Sequence, residues 1–296
     1  MYAQITSNKW KSVLLVIVFI AILSGLGYLF TEATGYGWIL PLAVVVAVVG
    51  SIGSYYYSDR IVLSMSQARP ANQQEHAFLV NSVEGLALAA GIPVPRIYVI
   101  DDTAPNAFAT GRDPQHAVLC VTTGLMQKMN RVELEGVVGH EMAHIKDYDI
   151  RFMALVAILA GTIVLVSDWL LRSMWWGGGR RRDDDDREGG NNPIVMVIAI
   201  VAAILAPIIA TLIQLAVSRR REYLADAQGS LLTRYPDGLA SALEKIASDP
   251  EPLEAANKAT AHLYIYNPLR EHGGILNALF STHPPIEERV RRLREM

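Results

Sequence analysis

Apolar residues gather into four long runs along this chain, and the stretches between them mix polar and apolar positions at shorter periods. Two runs, 13–30 and 38–54, stand close together near the start, and two more, 153–171 and 193–217, lie in the second half. Each is close to the roughly 20 residues a helix needs to cross the hydrocarbon of a bilayer. They predict about four transmembrane helices in two hairpins, 1–57 and 153–217. Lys9 and Lys11 ahead of the first run resemble the start of a cleaved leader, but a second apolar run follows at once, so a retained hairpin is expected.

The stretch 58–152 has different spacing. Residues 73–90 carry a helical pattern, Gly91, Pro93 and Pro95 interrupt it, and 96–100, 106–111 and 116–122 read as short strands joined by turn residues. Helical spacing returns at Glu133 and runs through His144. The last stretch, 218–296, opens on a charged helix and closes on an amphipathic one.

Composition supports the membrane reading: 51% of the 296 residues are hydrophobic and mean hydropathy is positive, unlike a soluble enzyme of this length. The net charge of -3 gives no reason to expect a nucleic-acid partner. Placement of charge says more. Lys9, Lys11, Arg60 and Arg219 to Arg221 flank the ends of runs one, two and four, which predicts that those ends are cytoplasmic. Arg180, Arg181 and Arg182 conflict with that topology, but they sit in a Gly/Arg/Asp loop, 176–192, beside Asp183 to Asp186, and the tract reads as solvated. The single cysteine, Cys120, excludes an intrachain disulfide and a cysteine-based metal site, and its apolar neighbours predict a buried strand position.

The most specific chemistry lies in His140-Glu141-Met142-Ala143-His144. On a helix, positions i and i+4 share a face, so the two imidazoles can hold one zinc ion while Glu141 reaches a water beside it. Small Gly139 and Ala143 leave room around such a site. A catalytic zinc takes three protein ligands, and the third candidate is Glu222 in Arg221-Glu222-Tyr223-Leu224-Ala225-Asp226. The helix of His140 runs into the third apolar run as Glu222 leaves the fourth, so a paired hairpin brings both to one membrane surface. Asp226, on the face of Glu222, can accept the second ring N–H of a ligand histidine. The competing reading of 219–226 is a charged helix end at the headgroups.

With these residues in place, the chain resembles the HtpX family of membrane-bound zinc endopeptidases, relatives of the CAAX prenyl-protein endopeptidases. The likeness rests on 105–112, 140–149, 221–226 and 281–289. It implies one Zn2+ held by His140, His144 and Glu222, Glu141 as general base, and Asp226 supporting a ligand. It also implies that Asn106, Ala107, Phe108, Ala109, Thr110 and Gly111 form an edge strand that pairs with extended substrate. The fold expected is a mainly α integral membrane protein with a cytoplasmic, zincin-like α+β domain and a small sheet, split into 58–152 and 218–296. The Gly/Arg/Asp loop departs from the family pattern.

The expected activity is zinc-dependent hydrolysis of peptide bonds in membrane or misfolded proteins at the cytoplasmic face of a prokaryotic inner membrane, in protein quality control. His283, in a histidine-proline turn, is the candidate donor to the tetrahedral oxyanion, with a structural helix-capping turn as the alternative. His76, His116, His262 and His272 lack paired spacing and read as surface or boundary residues. An intramembrane protease would bury its motif in an apolar run, whereas Lys146, Asp147, Asp149 and Arg151 follow His144 and predict an aqueous boundary. A CAAX-type processing enzyme would carry more spans. A membrane scaffold or transporter subunit with a structural metal is the alternative from another class, but a closed site needs a fourth protein ligand that the chain does not offer. Oligomeric state is not legible.

Overall fold

A computed structural model describes residues 2–177, 193–215, 219–256, 260–266 and 284–296. Helix α1 (Tyr2–Thr34) and helix α2 (Ile39–Met65) form the first hairpin, and α6 (Asp149–Gly177) and α7 (Pro193–Leu215) lie against it. Among the described residues three helices are long and apolar enough to cross a membrane, Ile5–Thr34, Ile39–Met65 and Asp149–Arg172. The fourth predicted span falls on α7, whose apolar stretch Met196–Ile209 is shorter. Phe19, Leu23 and Phe30 of α1 pack with Leu155 and Leu159 of α6 and Ala199 and Ala203 of α7. Val13, Ile17, Val45, Val49, Leu165 and Ile204 point outward and are exposed. Helices apolar on both faces are stable where the outer face meets lipid.

The first helix starts at Tyr2, well ahead of the apolar onset at Val13, because its polar first turns are packed: Asn8 and Ser12 are buried. Helix α3 (Ala77–Ala90) ends at Gly91, which takes the left-handed conformation (φ 69°) that a helix C-terminus favours and glycine adopts without strain.

The sheet has strand order β1-β2-β4-β3, with β1 Arg69–Pro70, β2 Arg96–Ile100, β3 Ala107–Thr110 and β4 Val118–Thr122. Strands β2 and β4 are parallel, and β3 and β4 antiparallel. The short β1 is not foreseen from sequence, and His116 lies in the tight turn Pro114–His116 rather than in a strand. Strand β4 is buried throughout because alternate residues serve two cores. Leu119 and Val121 face Val137, Val138 and Met142, while Val118 and Cys120 face Val62, Met153 and Tyr264. The sheet is thus clamped between the soluble helices and the tops of the membrane helices, and Cys120 is buried as expected.

Helix α4 (Thr123–Lys128) leads into α5 (Arg131–Lys146). Helix α5 begins with a reciprocal cap: Asn130 Oδ1 accepts from the Glu133 N–H at 3.0 Å, and Glu133 Oε2 accepts from the Asn130 N–H at 2.9 Å. It ends at Lys146, and Tyr148, at φ 61°, turns the chain into α6. Helices α8 (Arg219–Thr233) and α9 (Pro236–Ser248) cross α5, and the C-terminal α10 (Ile286–Arg294) packs on both.

Candidate metal centre

Both histidines of α5 point inward and are buried. Their outward ring nitrogens are held by carboxylates: His140 Nδ1 lies 2.9 Å from Asp226 Oδ1, and His144 Nδ1 lies 3.0 Å from Asp149 Oδ2. An Nδ1–H donated to a carboxylate leaves the Nε2 lone pair for a ligand. The two Nε2 atoms then face each other at 3.1 Å. Glu222, from α8, closes the third side, with carboxylate oxygens 3.7 Å from His140 Nε2 and 3.6 Å from His144 Nε2.

The three ligand atoms lie within 4.8 Å of one another and all three residues are buried. Two ligands on a tetrahedral ion with bonds of about 2.0–2.1 Å stand roughly 3.3 Å apart, so the imidazole pair has the spacing of adjacent zinc ligands. Two imidazoles and one carboxylate are a donor set that suits zinc and leaves a coordination position open. The residues present therefore fit the group the sequence implies.

Burial drives the His140 imidazole down to about 4, the Asp226 contact only partly opposing it. His144 suffers the same burial, but its hydrogen bond to Asp149 and the nearby charge of Glu222 outweigh it and bring the imidazole up to about 9. Burial raises the Glu141 carboxyl to about 7, against the pull of His144 and a backbone hydrogen bond from Ala109.

Two charges that the spacing of the chain did not single out complete the surroundings. Arg289 of α10 is fully buried and grips Asp226 with two hydrogen bonds, Nη2 to Oδ1 at 2.6 Å and Nε to Oδ2 at 2.9 Å, while its Nη1 lies 3.8 Å from Glu222. Asp149 is the other. Of the charged residues after His144 that predict an aqueous boundary, Asp147 and Asp149 are themselves buried, Asp147 accepting from Gln228 Nε2 at 2.8 Å and Asp149 holding His144. Charged residues one turn past His144 mark the metal's own hydrogen-bonding shell as readily as a solvent boundary.

Two isolated histidines are corrected likewise. His76 is buried at the start of α3 beside the Asn72 backbone, and His262 is buried with Nε2 3.1 Å from the Met153 carbonyl. An imidazole pairs with backbone as well as with water, so lack of a partner in sequence does not imply exposure. His116 is exposed as expected. His272, His283 and residues 178–192 of the Gly/Arg/Asp loop lie outside the described residues.

Strand β3 lies at the end of the strand order beside β4, its side chains buried, with the Ala107 carbonyl turned to Ile265 and the Ala109 N–H to Glu141. Its outer edge is partly filled. The Ala107 carbonyl accepts from the Ile265 N–H at 2.9 Å, and Asn106 Nδ2 donates to the Tyr266 carbonyl at 3.0 Å. Gly111 falls just past the strand, with φ 132°.

The room at Gly139 is taken by α8, not left open. A Cβ on Gly229 would stand 2.7 Å from His140 N and 2.9 Å from Gly139 C, and one on Gly139 would meet Gly229 O at 3.1 Å. This backbone contact brings Glu222 to the histidines. Alanine at Gly229 is expected to push α8 away, lowering stability by about 1–3 kcal/mol and reducing metal retention. Thermal unfolding and metal content after desalting measure both, and unchanged values would mean the helices tolerate the wider crossing.

Residues 73–296 match the sequence pattern of Peptidase family M48. The Protease HtpX homolog of Dictyoglomus turgidum is 47% identical over 296 residues, covering 100% of this chain and 94% of the relative. That of Thermoanaerobacter pseudethanolicus is 47% identical over 298 residues, with 100% and 98% covered, and that of Streptococcus gordonii 43% over 302 residues, with both chains covered fully. Among solved structures, the fold is similar to that of the S. mikatae Ste24p crystal structure, with a TM-score of 0.51 and 19% identity over 99% of this chain and 67% of that one.

Proposed function

Because the chain belongs to peptidase family M48, we propose that it is an integral membrane zinc endopeptidase cleaving membrane or misfolded proteins at the cytoplasmic face of the membrane, in protein quality control. The observation that carries this reading is the buried cluster of His140, His144 and Glu222 beside Glu141, on helix α5, which packs on the long apolar α6, and on α8. His140, His144 and Glu222 would hold the ion. When bound, zinc supplies Lewis acidity, polarising a carbonyl oxygen and acidifying water. Glu141 takes a proton from the attacking water and passes it to the leaving amine, a role suited to a carboxyl whose burial has raised its proton affinity toward neutrality. Asp226 and Asp149 keep each imidazole in one tautomer. His283 retains, on sequence grounds, the proposed role of donor to the oxyanion.

An extended substrate would pair with the outer edge of β3 beyond Ala107, since Ile265 engages the Ala107 carbonyl, and Asn106 with its amide tied to Tyr266 would fix the strand's end. The cytoplasmic side is favoured by Lys9 and Lys11 on α1, Arg60 on α2 and Arg219 to Arg221 on α8, which flank the ends of the apolar runs.

A test of orientation uses the exposed Leu231 on α8. In a Leu231→Cys variant, a membrane-impermeant maleimide is expected to label inverted vesicles and spare intact cells, with buried Cys120 giving little background. The reverse pattern would put the site on the outer face. Activity is tested by stripping the detergent-solubilised protein with chelator and restoring zinc, with cleavage of an unfolded protein as readout. No cleavage before or after zinc would sink the peptidase reading.

A further inference from the structure

We propose that Asn8, on the first membrane helix, is a positioning residue for the metal centre, holding His144 through Asp149 and tying metal affinity to the seating of that helix. This inference rests on the metal-binding reading of His140, His144 and Glu222.

Asp149 Oδ2 meets His144 Nδ1 at 3.0 Å, and its other oxygen, Oδ1, accepts from Asn8 Nδ2 at 2.7 Å. The same Nδ2 donates to the Asp147 backbone carbonyl at 2.9 Å. Both protons of the amide are thus directed at the corner between α5 and α6. Reversing the amide would set its oxygen against a carboxylate and a carbonyl, so these partners dictate its orientation. The contact is also sealed: Asn8 is 1% exposed and Asp149 3%.

The corner itself needs holding. Tyr148, between the two aspartates, sits at φ 61°, a conformation uncommon for a bulky residue. Lys9 lies over the Tyr148 ring at 4.6 Å, so two successive residues of α1 clasp the corner. Arg221 Nη1 stands 3.5 Å from Asp149 Oδ1, at the limit of a hydrogen bond, which leaves Asn8 as the closer donor to that oxygen. A carboxylate that orients a metal-binding imidazole acts only as well as it is itself oriented, and loss of such partners commonly weakens metal binding 10–100-fold.

The test uses the full chain in detergent, with Asn8→Leu keeping the bulk of the side chain and Asn8→Asp placing a like charge against Asp149. Zinc affinity is read by competition with a chromogenic chelator. Absorption bands of the cobalt-substituted protein report ligand geometry, and thermal unfolding of the chelated protein reports stability apart from metal. Asn8→Leu is expected to weaken zinc binding roughly tenfold and to shift the cobalt bands. Asn8→Asp is expected to do so further, and if it fails to fold, Asn8→Leu carries the comparison.

A merely structural Asn8 would lower the unfolding temperature of the metal-free protein and leave the affinity and cobalt spectrum of the folded fraction as in the native chain; that result overturns the proposal. In an Asp149→Ala background, Asn8→Leu should have no further effect on affinity, and an undiminished effect there would overturn it too. Failure of the underlying metal reading shows itself separately, as a native chain that binds no zinc or a His140→Ala variant that binds it as tightly.

Discussion

Glutamine in place of Glu141 is expected to reduce peptide-bond cleavage by on the order of 10²–10⁴-fold while leaving the bound zinc and the fold in place. Glutamine matches the size of the carboxylate but cannot take or return a proton. The separation of effects follows from the site's layout. Glu141 stands one residue from His140 on α5, yet neither imidazole depends on it, since Asp226 and Asp149 hold them. Glu141 is 2% exposed and its carboxyl is raised to about 7 mainly by burial, so replacing a costly buried acid by a neutral amide should not destabilise the chain. The measurement is turnover of an unfolded protein together with zinc content, native against variant. Full activity in the zinc-loaded variant would remove Glu141 from the mechanism.

The second large effect is expected at Arg289, where methionine should lower stability by about 3–5 kcal/mol and weaken zinc binding as well. Arg289 is wholly buried and its guanidinium is shared between Asp226, Glu222 and the Ile265 carbonyl, which Nη1 reaches at 3.2 Å. Burial by itself would raise the Asp226 carboxyl, but the Arg289 charge, with hydrogen bonds from His140 and Arg289, holds it below the ordinary aspartate range. Without the guanidinium, burial prevails and Asp226 is left as an uncompensated charge or as a neutral acid, a poorer partner for His140 in either case. Arg289→Lys should recover part of the loss, because an ammonium restores charge but not the two-pronged grip. Thermal unfolding with and without zinc decides the matter; a methionine variant that unfolds where the native chain does would show that Asp226 needs no counter-charge.

Three membrane helices and the histidine pair were legible in the chain because each carries a period: long apolar runs in one case, an i, i+4 pair in the other. Glu222 and Asp226 were legible for the same reason, plus the geometry of a hairpin that returns to its starting surface. What escaped was carried by single polar residues. Asn8, Asp149 and Arg289 come from three distant parts of the chain, and nothing in their spacing marks them; only the packing of α1 on the start of α6 brings Asn8 to Asp149, and only that of α10 on α8 brings Arg289 to Asp226. A signal did exist. An arginine on the apolar stripe of α10 beside Ile286, Val290 and Leu293 is a buried polar group awaiting its partner. The occupancy of the β3 edge by Ile265 and Tyr266 could not be read, because backbone pairing leaves no trace in side-chain identity.

The placement of α6 and α7 between the two halves of the cluster also sets the order in which the protein can become active during its synthesis. His140 and His144 leave the ribosome first, followed by the hairpin, then Glu222 and Asp226, and last Arg289. A nascent chain that stops short of α10 leaves Asp226 without its cation. Glu222 and the Arg289 counter-charge to Asp226 are made only after the hairpin, so the full cluster forms only once α8 and α10 have both joined α5.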